Sequence, residues 1–285
     1  MTTTLVPESE AAAPRRNIAT RFNVTQARVI KSEWIKLRSL RSTLIALGAA
    51  VLLVIGLGVL FAALRSGQIA TPNRGGGGPA SDTTDPTAIS LAGVTLAQLI
   101  VGSLGVMIAA GEYSTGMIRS SLAAVPKRLP VLWAKILVFA VTTFVLMLVA
   151  TMVAFLAGQA VLSAGGAASA SLSDPGVLRA VLGSAVQLTG VGVLGVALGA
   201  LLRNTAGSVA SLFGLTLLLP GLIQLLPSGF VADVSPYLPS NAIGAFVAVS
   251  QSSTTLAPWT GLLVFAVYLV VFVGAAAVFL KRRDA

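Results

Sequence analysis

Six stretches of the chain are almost wholly apolar: residues 42–64, 87–110, 134–159, 177–202, 206–226 and 260–280. A helix rises about 1.5 Å per residue, so roughly 20 apolar residues cross a hydrocarbon core about 30 Å thick. Each stretch reaches about that length. The pattern predicts an all-α, polytopic integral membrane protein with six transmembrane helices. Only Arg203, Asn204 and Thr205 separate the fourth stretch from the fifth, and Asn204 with Gly207 favours a tight hairpin over one very long helix.

The segments between these stretches differ in kind. Residues 1–23 carry Glu8, Glu10, Arg15, Arg16 and Arg21 without an apolar core, which predicts a disordered cytoplasmic tail and no secretory signal. In residues 24–41, Ala27, Ile30, Trp34 and Leu37 recur at helical spacing among Arg28, Lys31, Lys36, Arg38 and Arg41. That is a basic amphipathic helix at the membrane interface, with Trp34 suited to the headgroup level and Glu33 able to pair with Lys36 one turn on. Residues 42–285 form the membrane domain. The loop 65–86 holds Gly75 to Gly78 and has linker composition, whereas 160–176 is rich in Gly, Ala and Ser. The long segment 227–259 includes an apolar run, 242–249, too short to span. It predicts a re-entrant or interfacial helix before the last span.

Composition agrees with a bilayer as solvent. The 285 residues are 55% hydrophobic and only 10% charged, against about 25% charged in soluble domains. The formal net charge of +10 would suit nucleic acid, but the basic residues flank apolar blocks and build no continuous basic face. They orient the chain instead. Of 19 Lys and Arg, 16 fall on the side of the two termini and the second and fourth connections. Three (Arg65, Arg74, Arg179) fall on the other side. The positive-inside rule then puts both termini in the cytoplasm. The chain has no Cys and no His, which excludes thiol chemistry, disulfides, His-based metal sites and His-dependent triads.

Two glycine motifs invite a nucleotide reading and fail it. Gly190, Gly192 and Gly195 spell G-x-G-x-x-G, but inside an apolar block with no strand before it. Close helix packing is the better reading, with Gly195 and Gly199 at G-x-x-x-G spacing. The Gly75 to Gly78 run lacks the Gly-Lys-Ser/Thr of a phosphate loop. Polar side chains in or near the spans are few: Gln98, Gln159, Gln187 and Gln224. They suit interhelical hydrogen bonding, with Gln98, Gln187 and Gln224 as the alternative lining of a substrate path.

The second connection carries the most specific pattern. Glu112 ends an apolar block, and residues 115–124 can form a short helix presenting Ile118 and Leu122 on one face before Pro126 stops it. The order Glu112, Gly116, Ile118, Leu122, Pro126, Arg128, Lys135 resembles type 2 ATP-binding-cassette (ABC) exporter permeases. Residues Glu33 to Arg38 with Arg41 and Ser42, and Ser235 to Pro239, resemble actinobacterial members of that family. The likeness spans residues 24 to 283. It implies a permease subunit that dimerises with itself or a homologue and binds two copies of an ABC ATPase, which would hold ATP and Mg. No cofactor would bind this chain. It further implies that the amphipathic helix (Glu33, Lys36, Arg38) and the 112–124 segment (Glu112, Thr115, Gly116, Ile118, Arg119, Leu122) contact that ATPase. The expected cargo is a hydrophobic or amphiphilic molecule moved outward across a bacterial plasma membrane. A membrane scaffold without transport and an ion-coupled carrier are the alternatives that the topology leaves open.

Overall fold

The computed structural model describes residues 25–69, 85–114, 129–252 and 254–282. The expectations for residues 1–23, the Gly75 to Gly78 loop, and Thr115, Gly116, Ile118, Arg119 and Leu122 lie outside them. The described residues are helical and include no strand, and six helices are long and apolar enough to cross a membrane.

A first helix, α1 (Gln26–Ser39), ends at the extended residue Leu40, and α2 (Arg41–Arg65) begins at once as the first span. The stretch 87–110 is not one helix, contrary to the reading of its composition. A short helix α3 (Pro86–Ser90) is followed by a turn, and the span proper is α4 (Val94–Ser114). Two local causes stand out. Asp85 caps α3, its carboxylate accepting from the Thr87 N–H at 2.8 Å, with Pro86 at the first helical position. The turn then ends at Gly93, where a Cβ would run into the backbone of Leu53 and Val54. Ser90 fits into a notch between Gly58 of α2 and Gly158 of the third span, α5 (Leu129–Ala164). Gln159 fastens that corner. Its amide donates to Pro86 O and Ser90 Oγ, both at 3.0 Å, and its carbonyl accepts from Ala170 N at 2.7 Å.

The fourth span, α6 (Val177–Leu202), is the most enclosed element. It packs against α4 through glycines on both helices. A Cβ on Gly105 would strike Gly192 O, one on Gly195 would strike Gly102 O, and one on Gly199 would sit 2.8 Å from Val106 O. Lipid tails are as apolar as Leu, so spans associate by such close van der Waals contact rather than by a hydrophobic drive. Gly190 and Gly192 make room instead for the rings of Phe265 and Phe139.

The hairpin after α6 turns at Arg203 and Asn204, so the single long helix does not form. The fifth span comprises α7 (Thr205–Phe213), a π-helical turn (Gly214–Leu218) and α8 (Leu219–Ile223). Pro220 has no N–H for the i−4 carbonyl, and widening to i−5 bonding accommodates it. This span stops at Ile223, short of the apolar limit at 226. Three short pieces follow, α9 (Ser228–Val234), a 3-10 turn (Ser235–Tyr237) and α10 (Pro239–Val247), none of spanning length. The last span is α11 (Pro258–Arg282). Alternating direction gathers α1, the starts of α2, α5 and α7, and the ends of α4, α6 and α11 at one end. That basic end holds Lys36, Arg41, Lys135, Arg203, Lys281 and Arg282.

Candidate functional site

The face that α1 turns to the bundle is not the stripe its sequence suggests. Val29, Glu33 and Leu37 are buried, whereas Ala27 and Trp34 are exposed. Val29 packs on Val131 and Ala134 at the start of α5, and Gln26 Nε2 donates to Pro130 O at 3.1 Å. A glutamate thus sits at the centre of the buried face. Desolvation of a lone carboxylate costs several kcal/mol, so its partners decide the arrangement.

The cluster around it draws on three helices. Lys36, one turn on, donates to Glu33 Oε1 at 2.8 Å and to Glu112 Oε1 at 3.1 Å. Lys135 of α5 donates to Glu33 Oε2 and to Glu112 Oε1, both at 2.8 Å. Two carboxylates and two ammonium groups therefore alternate around one cluster. Glu33, Glu112 and Lys135 are 5%, 8% and 7% exposed. Burial pushes the Glu33 carboxyl up, but Lys135 and then Lys36 outweigh it and hold the group below its usual range. Burial likewise opposes the Lys36 charge, and Glu33 and Glu112 outweigh that and hold the ammonium above its usual range. The second oxygen of Glu112, Oε2, is buried and has no hydrogen-bond partner among the described residues.

The placement of the four groups matters more than their energy. Among the described residues, Glu112 is the last buried charge before the 115–128 connection, and Lys135 is the first after it. Their bond closes the base of that connection, and the bonds to Glu33 and Lys36 fasten α1 to the same point. A second tie lies beside the first. Arg203 closes α6 in the left-handed region (φ 54°), its guanidinium 4.9 Å from the centre of the Tyr113 ring. The fifth span restarts where Asn204 Oδ1 accepts from Gly207 N at 2.9 Å.

Of the residues singled out from sequence, Glu33, Lys36 and Glu112 come together. Arg38 is exposed and takes no part in the cluster. Lys135 entered the sequence reading only as the basic residue that opens a span. Its signal was available, since an ionisable group within an apolar helical block calls for a buried partner. The glutamines do not form one lining. Gln187 Nε2 donates to Gln98 Oε1 at 3.3 Å between α6 and α4, whereas the exposed Gln224 bonds Ser235 Oγ at the opposite end of the bundle.

Six spans, a docked amphipathic helix and an ion-paired connection set the architecture that a family comparison has to meet. A family model described as "ABC-2 family transporter protein" matches residues 29–213. The chain belongs to this family. It is a multi-pass membrane protein and a permease component of an ABC transporter, a family whose members act with an ATPase partner. The matched region of this ABC-2 permease runs from α1 through α7 and so contains all four members of the ion cluster. No curated protein matches the chain.

Proposed function

We propose that this ABC-2 permease exports a hydrophobic or amphiphilic molecule (a drug, antibiotic, peptide or lipid) across a bacterial plasma membrane. Both termini lie in the cytoplasm, as the 16-to-3 division of Lys and Arg favours. Two copies, or one copy and a homologue, assemble with two ATPase subunits. Those subunits bind ATP and Mg, and this chain performs no catalysis. The connection 112–124 and α1 receive the movement of the ATPase and pass it to α4 and α5.

One observation supports the coupling role above others: Glu33, Lys36, Glu112 and Lys135 join α1, α4 and α5 at the root of that connection. Transmission between sites needs a packed, discrete element that moves as a unit. A shift of the connection relative to α1 would open a buried ion pair, so the two move together. The spans carry no charge in their middles, which suits weakly polar cargo.

The test uses the complete complex in proteoliposomes. In Glu112→Gln combined with Ile118→Ala and Arg119→Ala, substrate-stimulated ATP hydrolysis is expected to fall at least tenfold, with transport falling alongside it. Wild-type stimulation and transport in that variant would remove the coupling role. Export predicts ATP-dependent accumulation inside inverted membrane vesicles, insensitive to an uncoupler. Collapse with the uncoupler at constant ATP would favour an ion-coupled carrier.

A further inference from the structure

The first helix runs along the basic end of the bundle instead of projecting from it. At its start, Gln26 Nε2 donates to Pro130 O of α5, and Val29 packs on Val131 and Ala134. At its end, only Leu40 separates Ser39 from Arg41, the first residue of the α2 span. Between them, Lys36 reaches Glu112 near the end of α4. All three attachments are to ends of spans on one side, so α1 lies at the depth of the lipid headgroups.

The face that α1 turns away from the bundle specifies what covers it. Lys31, Trp34 and Arg38 follow one another at spacings of three and four, which puts them on one stripe. All three are exposed, as are Ile35, Leu40 and Arg41. The counter-charges are not supplied by the bundle. Among the described residues, the carboxylates of this end are Glu33 and Glu112, both buried and bonded to Lys36 and Lys135. Residues 1–23 hold Glu8 and Glu10 against Arg15, Arg16 and Arg21, so they bring no net negative charge. Cations interleaved with large apolar side chains match a surface that is anionic outside and apolar beneath, and a Trp between them belongs at that boundary. Lys31 and Arg38 stand about 10 Å apart along the helix axis, so each reaches a headgroup of its own.

We infer that the outward stripe of α1 binds anionic phospholipids of the adjacent leaflet, Lys31 and Arg38 donating to phosphate oxygens on either side of Trp34, with Arg41 adding a third contact beside Leu40. The site goes beyond the export reading and does not depend on it. A zwitterionic headgroup sets its own cation beside the phosphate, so these side chains gain little from it. An anionic surface favours each nearby Lys or Arg by roughly fivefold. The opposite face of α1 carries Glu33 and Lys36. Lipid held on the outer stripe therefore steadies the helix that brings half of the ion cluster to α4 and α5.

The experiment uses the full-length chain alone in phosphatidylcholine vesicles, with Trp133→Phe and Trp259→Phe so that Trp34 is the one tryptophan left. Lipids with brominated chains quench a tryptophan that they touch. Brominated phosphatidylglycerol is expected to compete for Trp34 at least tenfold better than brominated phosphatidylcholine, and added salt should weaken that preference. Lys31→Gln, Arg38→Gln and Arg41→Gln together should bring the ratio to within about twofold of equality, whereas Lys31→Arg should keep it. Should the tryptophan replacements prevent folding, native mass spectrometry of the wild-type chain and the triple variant, each given an equal mixture of the two lipids, reads the same ratio. Equal quenching or retention of the two lipids, or a preference that survives the triple variant, would overturn the site. So would a Trp34 that neither lipid quenches, since the stripe would then face water. Loss of the copurifying ATPase subunit in the triple variant, with lipid preference unchanged, would assign the stripe to that protein instead. Failure of the lipid site leaves the export reading intact, because transport in inverted vesicles tests that reading separately.

Discussion

Glu112 and Lys135 stand 23 positions apart in the chain, yet Lys135 Nζ lies 2.8 Å from Glu112 Oε1 in a buried setting. The bond draws together the two ends of the connection between the second and third spans. A bridge at this point ties the end of α4 to the start of α5.

Removing one member of that pair leaves its partner buried and under-compensated. Lys135→Met is expected to lower stability by about 3–5 kcal/mol. Exchanging the charges, Glu112→Lys with Lys135→Glu, should recover part of the loss. Thermal unfolding of the purified chain in one mild detergent, comparing single and double variants, measures the coupling. Equal losses that simply add would mean that the two residues do not interact.

The pH dependence of the α1 attachment follows from two opposite shifts. The Glu33 carboxyl is held below its ordinary value of 4.5. Its contribution is complete above 4.5 and is lost as pH falls through the lower, folded value. The Lys36 ammonium is held above its ordinary value of 10.5. That contribution is complete below 10.5 and is lost as pH rises through the higher, folded value. The melting midpoint should therefore be level between about pH 5 and pH 10 with respect to these two groups. Glu33→Gln should flatten the acid limb, as a midpoint-against-pH series would read.

The glycines of the α4–α6 contact should not tolerate side chains, and those facing open space should. Gly195→Ile drives a branched side chain into Gly102 O and Val106. A loss at or above the upper end of the overpacking range of about 1–3 kcal/mol is expected. By contrast, a Cβ added to Gly48 or Gly56 of α2 would meet nothing within 4 Å. Replacing either with Ala should be neutral or stabilising by about 0.5–1 kcal/mol. Detergent melting curves of the variants decide this.

The Arg203–Tyr113 contact should be worth about 0.5–2 kcal/mol. Tyr113→Leu removes the ring face and should lose most of it. Arg203→Gly removes the same contact but relieves the left-handed backbone, so its loss should be smaller than that of Arg203→Ala. That ordering, read by thermal unfolding, separates backbone strain from ring contact.

What was legible in the sequence was whatever is decided locally. The length of an apolar run against the thickness of a bilayer gives the number of spans. Asn204 announced the break in the fourth-to-fifth hairpin because an Asn side chain caps the helix that follows it. The small residues of α6 marked a close contact because only a missing side chain lets two backbones meet. The short helix Pro239–Val247 followed from a run too brief to cross.

Other features required the assembled bundle. Periodicity put Ala27, Ile30, Trp34 and Leu37 on one face of α1, but hydropathy cannot say that a glutamate will be buried. It is buried because Lys36 and Lys135 neutralise it, and Lys135 comes from another helix. The break before α4 needed the notch formed by Gly58 and Gly158. The unsatisfied oxygen of Glu112 exists only where α1, α4 and α5 meet. Span count and charge placement depend on each segment and its solvent, so the sequence by itself determined them. Which charges pair, which face is buried and where an acceptor stays unsatisfied depend on distances between segments remote in the chain, and only the tertiary structure decided those.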